Sequence, residues 1–168
     1  MRYEKVGGVD CSYFDAGLCR SCTLLPVPMS TRVKSQQAQV ADLLAPFWVT
    51  GEKEQIWLPP VVGPESGFRI KVKMVVAGTT EHPTLGILDD DGMGIDLTDC
   101  PLYPESIHTV IRTLPWLIKR AQVPPYNVRK RKGQLKHVIV TAGDDNRVMV
   151  RFVLASQSAL PRIQEHLP

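Results

Sequence analysis

The sequence predicts an α+β domain built on a mostly antiparallel sheet with flanking helices. Three observations lead there. Strong strand patterns occur in hairpin pairs around short polar turns. Two long stretches carry helical periodicity. No strand–helix–strand alternation appears, so a parallel nucleotide-binding sheet is not expected.

The elements follow in order. Ser30–Ala45 reads as a helix, capped by Ser30 and striped by Val33, Val40, Leu43 and Leu44, with Pro46 to end it. Residues 51–66 are rich in proline and glycine and read as a loop or irregular edge, with Trp57 and Leu58 expected to anchor in the core. Phe68–Ala77 reads as a strand: Phe68, Ile70, Val72 and Met74 alternate with Arg69, Lys71 and Lys73, giving one apolar and one basic face. Thr84–Leu88 and Gly94–Thr98 are shorter strands around the turn DDDGMG. Ser106–Ala121 has apolar residues at helical spacing, from Ile107 to Ile118, and Pro115 is expected to kink or restart it. Leu135–Ala142 and Val148–Leu154 form a hairpin around GDDNR, and Ser158–Leu167 begins a last helix in which the chain stops.

At 168 residues the chain can hold one domain with a real core, or a small domain with an appendage. No apolar run is long enough to span a membrane, and the start MRYEKVGGVD lacks the apolar stretch of a secretory signal. A reducing, cytoplasmic setting is therefore expected, where thiols serve as metal ligands more often than as disulfides.

Four cysteines are present. Cys11, Cys19 and Cys22 are spaced C-x7-C-x2-C, while Cys100 lies far downstream before Pro101. Three clustered thiols and a distant one before proline suit an iron–sulfur cluster. Structural zinc favours two short knuckles, and only Cys19–Cys22 forms one here. Spacing alone leaves a cluster, zinc and four unrelated buried cysteines all open.

The net charge of +3 hides an uneven distribution. Between Ser106 and Gly143 there is no Asp or Glu, yet the stretch holds eight Lys and Arg. Four of them, Arg129, Lys130, Arg131 and Lys132, are consecutive and read as a flexible basic loop that Lys136 and His137 continue. With Arg69, Lys71 and Lys73 they are candidate phosphate contacts. Alternatively they form a solvated surface. Asp89, Asp90 and Asp91 read as a solvated acidic turn, and Gly92-Met93-Gly94 as a turn too, without the strand–helix context of a cofactor cradle. Tyr103 and Tyr126 suit base stacking or core anchoring equally. His108 reads as a helix-surface residue and His82 as a loop residue.

The segments CSYFDAGLCRSC, GPESGFRIKVKMVV, DLTDCPLYPESI and PPYNVRKRKGQLKHVIVT, then MVRFVL, occur in that order. Together they resemble the N-terminal half of the 23S ribosomal RNA (uracil-C5)-methyltransferases, in the branch that modifies uracil 747. The resemblance runs from Cys11 to the last residue. It implies that Cys11, Cys19, Cys22 and Cys100 bind a 4Fe–4S cluster with a structural role. It implies a cysteine-rich segment over 1–30, completed by Cys100, and a central RNA-binding region over 31–168. It implies 23S rRNA as partner, and S-adenosylmethionine bound only by a Rossmann-like catalytic half that this chain lacks. The cluster takes all four thiols, so no catalytic nucleophile remains and no catalytic residue is assigned. A separate catalytic half is an implied partner. One departure is visible: relatives usually show Arg-Asn-Lys where this chain has Arg69-Ile70-Lys71. The tRNA uracil-5 methyltransferases are a nearby alternative without this cysteine set. A stand-alone zinc- or cluster-binding RNA adaptor is the rival from another class.

Overall fold

The computed structural model describes residues 8–48, 57–145 and 147–167. Its centre is a five-stranded sheet of β1 (Lys71–Gly78), β2 (Pro83–Leu88), β3 (Gly94–Asp96), β4 (Leu135–Ala142) and β5 (Val148–Leu154), ordered β3-β2-β1-β4-β5. Every strand pair is antiparallel. The helices are α1 (Ser12–Asp15), α2 (Met29–Leu44), α3 (Glu105–Arg120) and α4 (Leu160–Glu165), with 3₁₀ turns at Ala45–Phe47 and Gln157–Ala159.

The period of two in β1 puts Val72, Met74 and Val76 into the core and leaves Lys71 and Lys73 exposed. β4 contributes Val138 and Val140 to the same layer, and β2 contributes Leu85. α3 covers this face with Ile107, Ile111, Leu114 and Ile118, one stripe at helical spacing. Glu105 in its first turn and Lys119 and Arg120 in its last oppose the helix dipole. α3 joins edge strand β3 to β4, so the chain crosses over β2 and β1 to add a strand on the far side of β1.

Several expectations need correction. The apolar face of β1 begins at Val72. Phe68 and Ile70 precede the strand and are exposed, because backbone bonds from Gly67 to Pro101 and from Arg69 to Leu102 hold that stretch beside another loop. α3 does not restart at Pro115 but continues to Arg120. α2 starts one residue early, and Ser30 is not its cap; Pro28 takes that position without a side-chain bond. The stripe of α2 reaches no core, and the helix buries no residue. Leu58 is exposed, and Trp57 is half-buried against Trp48 at 5.4 Å between ring centres. Residues 51–56 of the predicted loop lie outside the described residues. The last helix is shorter than expected and ends at Glu165. His108 is buried, its Nδ1 2.9 Å from the Thr98 carbonyl. Among the described residues no helix is long and apolar enough to cross a membrane.

Candidate functional site

The three early cysteines sit on one compact turn structure. Cys11 precedes α1, and its carbonyl accepts from the N–H groups of Phe14 and Asp15. Gly17, at φ +74°, reverses the chain, and the Tyr13 carbonyl then accepts from Leu18 and Cys19. Cys22 opens the next turn, closed by a bond from Leu25 N–H to its carbonyl. Cys100 stands on the turn between β3 and α3, where its N–H donates to the Leu97 carbonyl and its own carbonyl accepts from Tyr103.

The fold brings this distant cysteine to the other three. All four thiols line one small cavity, together with Tyr13, Leu25, Leu97 and Pro101. A direct tie joins the two stretches: the Asp99 N–H donates to the Tyr13 hydroxyl at 3.1 Å. Cys22 and Cys100 also pack against the core.

All four cysteines are free thiols. Burial pushes Cys22 and Cys100 above the ordinary thiol range, and the guanidinium of Arg69 pulls back on both. Neighbouring cysteines push the same way as burial, since two thiolates side by side repel. A bound metal reverses that balance by favouring the thiolate. Four sulfur donors are the chemistry of iron–sulfur and zinc sites. Among the described residues no three His, Cys, Asp or Glu side chains close around one point as ligands of a single ion do.

The basic residues fall into three places. Lys71 and Lys73 lie on the solvent face of β1, opposite Thr141 and Ile139 of β4. Arg69 belongs to the cysteine end, where its charge acts on Cys22 and Cys100. Arg129, Lys130, Arg131 and Lys132 are all exposed, while Lys136 is half-buried with its Nζ 4.8 Å from the centre of the Tyr126 ring.

The basic run forms a turn closed by a bridge between Asn127 and Lys132. Asn127 and Lys132 exchange backbone bonds, and the Asn127 side chain accepts from Lys130 N–H at 2.8 Å. Arg131 takes a positive φ of 50°, and Gly133 takes 111°, where a Cβ would strike the Pro125 carbonyl.

Two contacts carry no clear mark in the sequence. The bond from Asp99 to Tyr13 depends on tertiary placement. The acidic turn also lies against the basic one, since a Cβ built on Gly92 would be 3.3 Å from Arg129 Nε. Opposite charge in the two segments is the one hint of it.

No family model matches the chain. It is 45% identical over 159 residues to the 23S rRNA (uracil(747)-C(5))-methyltransferase RlmC of Shewanella loihica, a match covering 94% of this chain and 41% of that protein. It is 44% identical over 168 residues to the RlmC of Escherichia coli O139:H28, covering 95% and 44%. The chain is a partial homologue of the 23S rRNA (uracil-C5)-methyltransferases. It spans about two-fifths of the length of these methyltransferases. A solved structure of the Pyrococcus abyssi tRNA (uracil-54, C5)-methyltransferase, in complex with S-adenosyl-L-homocysteine, superposes with a TM-score of 0.66 over 96% of this chain and 35% of that one. At 18% identity this likeness concerns the fold alone.

Proposed function

We propose that this chain is the cluster-holding and RNA-holding portion of an S-adenosylmethionine-dependent 23S rRNA (uracil-5-)-methyltransferase, with catalysis located outside these residues. One observation carries the reading: Cys100 meets Cys11, Cys19 and Cys22 at a single cavity, in a chain 45% identical to a methyltransferase of that class.

Cys11, Cys19, Cys22 and Cys100 would hold a 4Fe–4S cluster. The cluster would supply cross-linking between the N-terminal turns and the sheet. The donor set suits it, and a cluster fills the space between its cysteines with its own sulfides, which agrees with thiols arranged around a cavity. Arg69 would offset the negative charge of bound thiolates.

Lys71, Lys73 and the Arg129–Lys132 turn would contact phosphates, with Lys136 beside them and Arg69 at the cysteine end. Lys71, Lys73 and the turn residues are exposed, and neutralising phosphates releases counterions. A uracil in folded RNA must be splayed out for chemistry at C5, so grip on the surrounding backbone is what a non-catalytic portion contributes.

Analysis of anaerobically purified protein tests the metal reading. Iron and acid-labile sulfide in near-equal amounts are expected. Stoichiometric zinc without sulfide would overturn the cluster and favour an RNA adaptor.

A further inference from the structure

α3 covers one face of the sheet and leaves the other bare. On the bare side the strands set up rows across the sheet. Lys71 shares a row with Thr141 and Met149, Lys73 with Ile139 and Arg151, and Val75 with His137 and Val153. Lys71, Lys73 and Arg151 are exposed, and none forms an ion pair among the described residues. β1, β4 and β5 hold no Asp or Glu. The two lysines stand roughly 7 Å apart along β1, and Arg151 lies two strand spacings from Lys73, roughly 10 Å. Val75, Ile139 and Val153 fill the ground between the cations and are half-buried.

His137 is a polar group in this ground. Its Nδ1 is buried without a partner. A proton there would be a buried N–H with no acceptor, so the ring proton belongs on Nε2, which is left to donate from the bare face. Burial first, then Lys73 and Lys136, hold the ring below the ordinary histidine range by disfavouring its charged form.

We propose that this bare face grips the sugar–phosphate backbone of an unpaired RNA strand, with Lys71, Lys73 and Arg151 on phosphates and His137 Nε2 donating a hydrogen bond among them. The inference rests on the reading that this chain holds RNA, and it adds Arg151 and His137 to that grip. Charge selects the polyanion, since three cations without an ion-pair partner suit phosphates. The acid that shares a row with His137 is Asp96, at the far edge on β3, and its carboxylate already accepts from the N–H groups of Leu85 and Thr98. The aliphatic ground selects an unpaired strand, because released bases can lie against it while a duplex hides its bases. Phe152 packs against the core on the other side, so β5 offers no ring for stacking here.

The test titrates the metal-loaded 168-residue chain over a salt series with a short unpaired RNA and with the same sequence as a duplex. The unpaired strand should bind more tightly. Arg151→Ala should lower the log–log salt slope by about 0.7, and Lys71→Ala with Lys73→Ala by about 1.4. His137→Ala should weaken binding roughly threefold to tenfold at every salt concentration without changing the slope, because an uncharged donor releases no counterion. That loss should be constant between about pH 6 and pH 8. The charged groups around the ring are Lys73 of β1, Lys136 of β4, Arg151 of β5 and, along the row, Asp96 of β3. Lysine acetylation of the unsubstituted protein, read by mass spectrometry, tests the face without any substitution. Bound RNA should protect Lys71 and Lys73 and leave the exposed Lys34 of α2 unchanged. An unchanged slope in Arg151→Ala, or labelling of Lys71 and Lys73 indifferent to bound RNA, would overturn the proposal and leave the RNA reading standing. Tighter binding of the duplex would overturn it as well, and so would a dimer that the double lysine variant dissolves. A His137 effect that grows as pH falls would overturn the uncharged donor. No RNA binding under any of these conditions would sink the RNA reading itself.

Discussion

Tyr13 links the two stretches of chain that carry the cysteines. Its hydroxyl accepts from the Asp99 N–H, 86 residues away, beside both halves of the cysteine set. Tyr13→Phe removes that acceptor from a bond near solvent, and a loss of about 0.5–1.5 kcal/mol is expected in urea unfolding of metal-loaded protein. The cysteines should matter far more. Metal ligation adds directly to folding free energy, and Cys22 to Cys100 closes a long stretch of chain. Cys100→Ser should abolish the brown colour and lower the melting temperature, as Cys19→Ser should. A full 4Fe–4S spectrum with unchanged melting in Cys100→Ser would remove Cys100 from the ligand set. The nearness of Cys11, Cys19 and Cys22 was legible in the sequence because their spacing is local, whereas the place of Cys100 beside them follows from the fold. His108 was not legible. Its burial follows from where the Thr98 carbonyl and the Tyr103 ring come to lie.

β4 and β5 match the expected ranges to the residue, because alternation and a polar turn specify a hairpin without outside help. β1 begins three residues later than expected: Phe68 and Ile70 continue the alternation, but β4 pairing starts at Lys71. α2 marks the other limit, since periodicity says which face wants cover and not what supplies it. The basic turn is an element whose sequence was plain and whose shape was not. Replacing Arg129, Lys130, Arg131 and Lys132 with alanine should flatten the salt dependence of RNA binding, by roughly 0.7–0.9 in log–log slope for each phosphate no longer neutralised. Filter binding over a salt series reads it, and a wild-type slope would make the turn merely solvated surface. Because Gly92 lies against Arg129, replacing Asp89, Asp90 and Asp91 with asparagine should tighten binding at low salt. Weaker binding in that variant would mean the acids orient the basic turn.

For the whole molecule, the fold class followed from the order of elements, while the crossing of α3 from β3 to β4 did not. The described strands pair only antiparallel, and the chain spans about two-fifths of its relatives. The isolated chain is therefore expected neither to bind S-adenosylmethionine in calorimetry nor to transfer tritiated methyl groups to unmodified rRNA. Measurable transfer by a clean preparation would place a catalytic centre within these residues.

The crossing also sets an order of events during synthesis. All four thiols and the β1–β2–β3 meander precede Pro101, whereas the strand that completes the other side of β1 follows α3. On the ribosome, the N-terminal part emerges first. The cysteines thus leave the exit tunnel while one edge of β1 still has bare N–H and C=O groups, open to pairing with a neighbouring nascent chain. Metal delivered in that interval would fasten a half-built sheet. Oxidant arriving in the same interval would meet unprotected thiols beside an unfinished strand.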